Sequence, residues 1–179
     1  SATATASGSI YMASLPVTGT YRIFVDPIHH YTANVTITRL AGIPLPIDGA
    51  PVTSILANPG DAARYTFAGT AGQNLGLGLA GMTMMPAAAG HQLTIFGPTG
   101  AQAGSALCYA QYGGCSVNLT NLAATGSYSA VVQSTQGGVG NYTIALSTDL
   151  AGTLTLGGAA LPISLYRPGL NARLSVAAT

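Results

Sequence analysis

Short stretches of alternating apolar and polar residues, separated by turns that contain glycine or proline, run through the whole sequence and limit the folds it can adopt. The clearest are residues 21–25, 34–38, 64–67, 92–96, 127–132 and 141–146. A period of two places one set of side chains on a core face and the other in water. The 24 glycines and ten prolines disfavour long helices. The sequence therefore predicts an all-β fold, an antiparallel β-sandwich.

The sequence also repeats itself, with a period of about 107–110 residues. The matching segments are 15–21 with 122–128, 34–37 with 141–144, 40–42 with 150–152, 59–64 with 168–173, and 68–70 with 177–179. We therefore predict a C-terminal part of a module at residues 1–39, one complete module at 40–149, and an N-terminal part of another at 150–179. Each module is expected to be an immunoglobulin-like or jelly-roll-like sandwich.

A partial module by itself exposes unpaired strand edges and half a core, which proteins normally avoid. Residues 150–179 can fold back onto 1–39 of the same chain and form a second, smaller sandwich. Alternatively, these two pieces complete a module with neighbouring copies by strand addition, and such a head-to-tail contact propagates as a fibre. A chain boundary unrelated to the modules is the third alternative.

Charged side chains are scarce, and this excludes several partners and mechanisms. The chain has five arginines, four aspartates, no lysine and no glutamate, with a net charge of +1. We expect no nucleic-acid partner, because binding to phosphates needs a basic surface. We expect no membrane insertion, because no apolar run reaches the roughly 18–20 residues of a spanning helix. Without lysine, the chain forms neither a P-loop nor a Schiff base.

The low charge also indicates a surface that associates or is masked by glycan, which suits an extracellular location. The chain begins at Ser1 without methionine or a basic leader, as expected of a mature or excised product. Cys108 and Cys115 are predicted to form a disulfide in an oxidising compartment. The alternative is two reduced thiols, whereas zinc requires further ligands.

Several segments resemble known bacterial modules. Residues 15–21 with 25–27, and residues 168–173, are similar to the tandem β-sandwich repeats of large bacterial secreted and surface proteins. Residues 65–73, followed by leucines at alternate positions from Leu75 to Leu79, resemble the bacterial pre-peptidase C-terminal domain. The resemblance implies an extracellular module that serves as stalk, fibre, adhesive or accessory domain, and it carries no catalytic residue.

No catalytic, cofactor or metal site is predicted. A hydrolase needs a nucleophile, a base and an orienting acid, yet no G-x-S-x-G segment occurs and the adjacent His29 and His30 are expected in a solvated turn. The four aspartates are dispersed, which disfavours both a carboxylate pair and a calcium loop. Residues 76–81 fit G-x-G-x-x-G, but alternating leucines and the absence of a following acidic residue predict a strand there instead of a dinucleotide site.

Two tyrosines and three methionines are candidates for contacts with a partner. Tyr109 and Tyr112 lie between the cysteines and are expected to be exposed. Met82, Met84 and Met85 are expected in a loop, either buried or at a subunit contact. The matching of Tyr21 with Tyr128 predicts a tyrosine corner of the kind found in sandwich folds.

Three asparagines occupy N-x-Thr triplets and are candidate glycosylation sites: Asn34, Asn118 and Asn141. Asn34 and Asn141 lie at equivalent repeat positions, so the repeat explains their spacing without any glycan.

From these observations we expect a non-enzymatic structural subunit of an extracellular bacterial fibre at the cell surface, whose partner is another copy of itself. The alternative is a monomeric binding module of a secreted enzyme or adhesin that recognises carbohydrate or another surface. No cofactor is expected in either case.

Overall fold

A computed structural model describes residues 19–24, 37 and 39–177 of the chain. These residues form eleven strands and one 3₁₀ turn, Ala110–Tyr112. The strands are β1 (Gly42–Pro44), β2 (Val52–Leu56), β3 (Ala62–Gly69), β4 (Leu75–Met85), β5 (Gly90–Phe96), β6 (Gln102–Tyr109), β7 (Gly114–Leu119), β8 (Gly126–Ser134), β9 (Val139–Thr148), β10 (Leu150–Leu154) and β11 (Ala172–Val176).

Nine strands form one sheet, in the order β1-β3-β8-β5-β6-β7-β4-β9-β2. β3 and β9 are far apart in this order, yet the hydroxyls of Tyr65 and Tyr142 are 2.8 Å apart. The sheet therefore curls over, and its two parts face each other as the layers of a sandwich. The predicted all-β sandwich is confirmed. Its one departure from the antiparallel expectation is the parallel pairing of β1 with β3.

The two layers are joined where β6 meets β7. Only Tyr109 and Gly114 form a backbone pair between these strands. The predicted disulfide between Cys108 and Cys115 is confirmed, and it lies directly beside that pair with 5.0 Å between the Cα atoms. Its position shows that it fastens the corner between the two layers, a role that the spacing of the cysteines did not reveal.

The core lies between the layers, and its residues follow the predicted alternation. Leu75, Leu77 and Leu79 on β4 are each at most 2% exposed. Gly76 and Gly78 lie between them, on the opposite face of the strand. The strand predicted for this glycine-rich segment is therefore present, and it is not followed by the helix that a dinucleotide site would need.

Two side chains stabilise turns of the sandwich, and the first of these roles was predicted. The hydroxyl of Tyr128 donates a hydrogen bond of 2.7 Å to the carbonyl oxygen of Ala124, which confirms the tyrosine corner. The carboxylate of Asp61 accepts hydrogen bonds from the backbone N–H groups of Ala57 and Asn58. Asp61 therefore stabilises the turn before β3.

β10 and β11 form a separate two-stranded parallel sheet. Parallel pairing also joins β1 to β3, and in both sheets the paired residues are 22 positions apart, as in Gly42 with Arg64 and Ala151 with Arg173. The spacing is therefore the same in both pairs, although the chain forms strand β2 between β1 and β3 and no strand between β10 and β11. We call residues 150–177 the second-copy segment.

The structure differs from the sequence expectations at two places. Residues 21–24, predicted as part of a strand, have no strand assignment, and the rest of that strand lies outside the described residues. The methionine segment is the end of the eleven-residue strand β4 and is not a loop. Most of the predicted strand at 34–38 lies outside the described residues.

Candidate interaction surface

The second-copy segment is attached to the sandwich by a close backbone contact. A Cβ atom at Gly76 would overlap the carbonyl oxygen of Gly169, and one at Gly78 would overlap the Gly169 nitrogen. Gly169 itself has a φ of 76°, a conformation that favours glycine. The glycines of the G-x-G segment are therefore required because another part of the backbone lies directly on them.

Three side chains fix the position of β11 beside this contact. Arg167 donates a hydrogen bond of 2.7 Å to the carbonyl oxygen of Gly49, in the sandwich. The guanidinium of Arg173 pairs with Asp149 at 2.8 Å, and Asn171 donates to the same carboxylate at 3.3 Å. Asp149 is largely buried, so the ion pair is partly shielded from water.

Sequence reasoning assigned no role to Arg167, Asp149 or Asn171. The signal that was available is the match of residues 59–64 to 168–173. It does not show what the loop contacts, because that contact is made in tertiary structure with β4.

The second-copy segment exposes many large apolar side chains. They are Leu154, Leu156, Leu161, Ile163, Leu165, Tyr166, Leu174 and Val176. Only two charged residues, Arg167 and Arg173, occur in the same segment. An apolar surface with so little charge is a typical site of protein association.

Equivalent positions in the complete sandwich are buried. The repeat matches Leu174 to Tyr65 and Val176 to Phe67. Leu174 and Val176 are 40% and 59% exposed, whereas Tyr65 and Phe67 are 0% and 5% exposed. The matched positions therefore lie in the core on β3 and are exposed on β11.

Two further residues that match core positions of the sandwich are also exposed. Tyr21 corresponds to the buried Tyr128, and Ile37 corresponds to the buried Ile144. Both are more than two-fifths exposed in this chain. Tyr21 and Ile37 are thus more exposed than the sandwich residues that they match.

β11 has a strand neighbour on one side only. In the complete sandwich, β3 lies between β1 and β8. Within the described ranges, β11 pairs with β10 and with no other strand. No strand of the described ranges lies on its second edge, and an unpaired strand edge is a template for another strand.

The tyrosines between the cysteines form a small aromatic projection. The rings of Tyr109 and Tyr112 meet edge to face, with 6.0 Å between their centres. Tyr112 is 75% exposed, and Gly113 follows it in a left-handed conformation. The disulfide and the 3₁₀ turn hold this projection at the corner between the layers.

The methionines do not form one exposed patch. Met82 is buried in the core, Met84 packs against the core, and Met85 is largely exposed. Of these three side chains Met85 is the most exposed, and a contact between the methionines and a partner stays a prediction.

The candidate glycosylation sites differ in accessibility. Asn118 is exposed on β7, whereas Asn141 on β9 is half-buried. The amide oxygen of Asn141 accepts hydrogen bonds from the backbone N–H and hydroxyl of Thr83. Asn34 lies outside the described residues, and modification of all three stays a prediction.

A cluster of polar rings lies inside the core. His91 is fully buried, and neither of its ring nitrogens has a hydrogen-bond partner in the described part of the chain. Its ring centre is 5.1 Å from that of Tyr142. Burial lowers the pKa of His91 and raises the pKa of Tyr142, because both charged forms lose hydration.

This cluster has no route to a substrate, since its members are sealed in the core. The described residues contain no group of three or more histidine, cysteine, aspartate or glutamate side chains that could hold a metal ion. His29, His30 and Asp26 fall outside those residues. Among the described residues, no helix is long and apolar enough to cross a membrane.

Comparison with known proteins gives structural likenesses only. No family model and no curated protein matches the chain. The pre-peptidase C-terminal domain of a collagenase from Bacillus anthracis is similar in structure, with 15% identity and a TM-score of 0.49 over 62% of this chain and 99% of that domain. PliG from Aeromonas hydrophila, a periplasmic inhibitor of g-type lysozyme, has 20% identity and a TM-score of 0.37 over 57% of this chain and 95% of its own. The first belongs to the family that the sequence resembles, and neither likeness assigns a function.

Proposed function

We propose that this protein is a non-catalytic structural subunit of an extracellular bacterial assembly, in which each copy associates with the next through the second-copy segment. The observation that carries the proposal is the contrast between Leu174 and Val176, which are exposed, and the equivalent residues Tyr65 and Phe67, which are core. In this proposal residues 40–149 form one complete module. The partial modules are residues 1–39 and 150–179, and they are completed between copies.

Burial of the apolar face supplies the free energy of this association, at about 25 cal/mol per Å² of apolar surface removed from water. Pairing at the free edge of β11 supplies direction, because main-chain hydrogen bonds fix the approach of the partner. With two arginines as the only charges in the segment, the association is expected to depend little on salt.

An extracellular or envelope location fits the same proposal. The disulfide between Cys108 and Cys115 persists in an oxidising compartment. The absence of lysine and the presence of only five arginines leave trypsin-like proteases few sites, an advantage outside the cell.

Light scattering after size-exclusion chromatography, over a range of protein concentrations, tests the proposal. We expect the mass to rise above that of one chain with concentration. In the variant Leu174→Ser/Val176→Ser it should return to one chain. The control is Ile55→Ser, which removes an even more exposed apolar side chain from β2 of the complete sandwich. A mass of one chain at every concentration contradicts the proposal, as does equal loss of association in the control.

A second candidate function is an accessory binding module for carbohydrate or another surface. The exposed, rigidly held ring of Tyr112 favours it, since sugar rings stack on exposed aromatic faces. Affinity electrophoresis in gels containing soluble polysaccharides tests this candidate. Retardation that is lost in Tyr112→Ala and kept in Tyr166→Ala, an equally exposed tyrosine elsewhere, supports it. Unretarded migration of the unmodified protein in every gel contradicts it.

A further inference from the structure

We infer that His91 accepts a hydrogen bond from the thiol of Cys108 when the disulfide with Cys115 is reduced, and that this bond holds Cys108 in the core after the S–S bond is gone. The inference does not depend on the proposed association. It follows from the position of His91 opposite Cys108, from the burial of both side chains, and from the way neighbouring polar groups use their protons.

His91 lies directly across the sheet ladder from Cys108. β5 pairs antiparallel with β6, and the register places these two residues opposite each other. Residues in such a pair project from the same face of the sheet, with about 4.5–5.5 Å between their Cβ atoms. Both side chains are fully buried. The imidazole and the sulfur are therefore neighbours inside the core.

Two other polar neighbours of His91 use their protons elsewhere. Ser134, opposite His91 on β8, donates its hydroxyl proton to a backbone carbonyl oxygen. Tyr142, whose ring meets that of His91, is bonded through its hydroxyl to Tyr65. Tyr65 gives its own proton to Ser54, so the proton between the two tyrosines belongs to Tyr142. An additional donor beside His91 would therefore supply a proton that these neighbours do not.

Reduction of the disulfide supplies that donor. As half of a disulfide the sulfur of Cys108 has no proton, whereas as a thiol it can donate a hydrogen bond. One other acceptor is the carbonyl oxygen of Ala106, 3.9 Å from the sulfur. That oxygen already accepts a hydrogen bond from the side chain of Gln92. A neutral imidazole has one nitrogen that accepts, and neither ring nitrogen of His91 has a partner among the described residues.

The thiol–disulfide exchange that creates this donor needs only a small thiol such as glutathione. A glutathione thiolate attacks the sulfur of Cys115, which is half-buried, and the electron pair of the broken S–S bond leaves on Cys108. Cys108 takes up a proton and shares it with His91. A second glutathione thiolate attacks the glutathione sulfur of the mixed disulfide, and Cys115 leaves and is protonated. The protein gains two electrons and two protons, and two glutathione thiols become one glutathione disulfide.

The glutathione equilibrium of the protein tests the hydrogen bond. Unmodified protein and His91→Phe are equilibrated with mixtures of reduced and oxidised glutathione, and the disulfide fraction is measured by acid quenching, alkylation and mass spectrometry. Phenylalanine keeps an aromatic ring and removes the acceptor, so the thiol form alone loses a hydrogen bond. We expect the equilibrium constant to move about fivefold towards the disulfide, the effect of one hydrogen bond.

Tyr142→Phe is the matched control, because it changes a ring beside His91 and leaves the acceptor in place. Its equilibrium constant should stay at that of the unmodified protein. An unchanged constant in His91→Phe, or a shift towards the thiols, overturns the inference. An equal shift in the control also overturns it, because the effect would then come from a general loosening of the core.

A second measurement needs no change in the core. The NMR chemical shift of the unprotonated ring nitrogen of His91 is compared before and after treatment with a phosphine reductant, and His29→Gln and His30→Gln assign the signals. We expect the shift to move on reduction towards that of a protonated nitrogen. An unchanged shift, or the spectrum of an unfolded chain after reduction, overturns the inference. If His91→Phe does not fold, this measurement decides by itself.

Discussion

Tyr65 and Tyr142, on facing layers of the sandwich, are joined by a hydrogen bond of 2.8 Å between their hydroxyl groups in the centre of the core. The hydroxyl of Tyr65 donates its own proton to the Oγ of Ser54 on β2, at 2.6 Å. Since each hydroxyl has one proton, Tyr142 is the donor to Tyr65. This short chain of hydrogen bonds connects β9, β3 and β2. It gives the buried hydroxyl groups hydrogen-bond partners, and without such partners their burial would destabilise the folded protein.

Removal of the Tyr65 hydroxyl should cost more stability than removal of the Tyr142 hydroxyl. Tyr65→Phe leaves the buried Tyr142 donor without an acceptor, and we expect the free energy of unfolding to fall by about 1–3 kcal/mol. Tyr142→Phe leaves the bond from Tyr65 to Ser54 in place and should cost less. Urea unfolding measures both, with the exposed Tyr112→Phe as the control. The double variant should cost less than the sum of the single ones, because they share one bond. Equal costs for the two single variants would contradict this ordering.

Stability should decrease as the pH falls through the ordinary range of histidine titration. His91 has a lowered pKa in the folded protein, because burial disfavours its charged form. Below about pH 6.5 the unfolded chain binds a proton at this residue that the folded chain does not, so the free energy of unfolding falls by up to about 1.4 kcal/mol per pH unit. This component is fully present above pH 6.5 and is lost towards lower pH.

The variant His91→Phe isolates that component. It keeps an aromatic ring beside Tyr142 and removes the titrating nitrogens, while every other titratable group remains. Urea unfolding at several pH values between 7.5 and 5 should give a shallower slope for the variant than for the unmodified protein. Identical slopes would show that His91 does not contribute to the pH dependence.

Reduction of the disulfide should weaken the corner between the layers. Loss of a disulfide that closes so short a loop is expected to lower the free energy of unfolding by about 2–3 kcal/mol in the chain-entropy model. Unfolding with and without a phosphine reductant measures the effect, and Cys108→Ala/Cys115→Ala should reproduce it. Hydrogen exchange should increase first in β6 and β7, because one backbone pair, Tyr109 with Gly114, joins them there. Exchange that rises uniformly over all strands would contradict a local role.

A single methyl group at Gly78 should displace the second-copy segment from the sandwich. The Cβ of Gly78→Ala would meet the backbone of Pro168 and Gly169, which cannot move aside as a side chain can. We expect chymotrypsin to cleave near Tyr166 faster in this variant, while the sandwich unfolds at a similar urea concentration. Gly97→Ala is the matched control, since its Cβ meets only ordinary van der Waals contacts. Equal cleavage rates in the two variants would show that the glycine contact does not hold the segment.

The local sequence pattern was sufficient to predict much of the sandwich. The strands predicted at 64–67, 92–96, 127–132 and 141–146 lie within β3, β5, β8 and β9. The corner tyrosine Tyr128 and the disulfide were predicted as well. In each case the determining residues are close together in sequence, or the repeat places the same pattern twice.

The candidate surface could be predicted only in part. The repeat indicated that residues 150–179 begin another copy, but not that Gly169 lies on Gly76 and Gly78 or that Arg167 reaches Gly49. For the methionine segment, proline and small residues suggested a loop, yet pairing with β9 extends β4 through Met85. In both segments, contacts with residues that are distant in sequence override the structural preference of the local sequence.

The sequence by itself determined the fold class and many of the turns, because alternation, glycine and proline act on neighbouring residues. The tandem repeat stays a prediction. Only the tertiary structure decided the order of the strands, the parallel pairing of β1 with β3, and the exposure of Leu174 and Val176. These depend on which strand edges meet, and a strand has the same sequence pattern whether its outer edge and core face are covered or open.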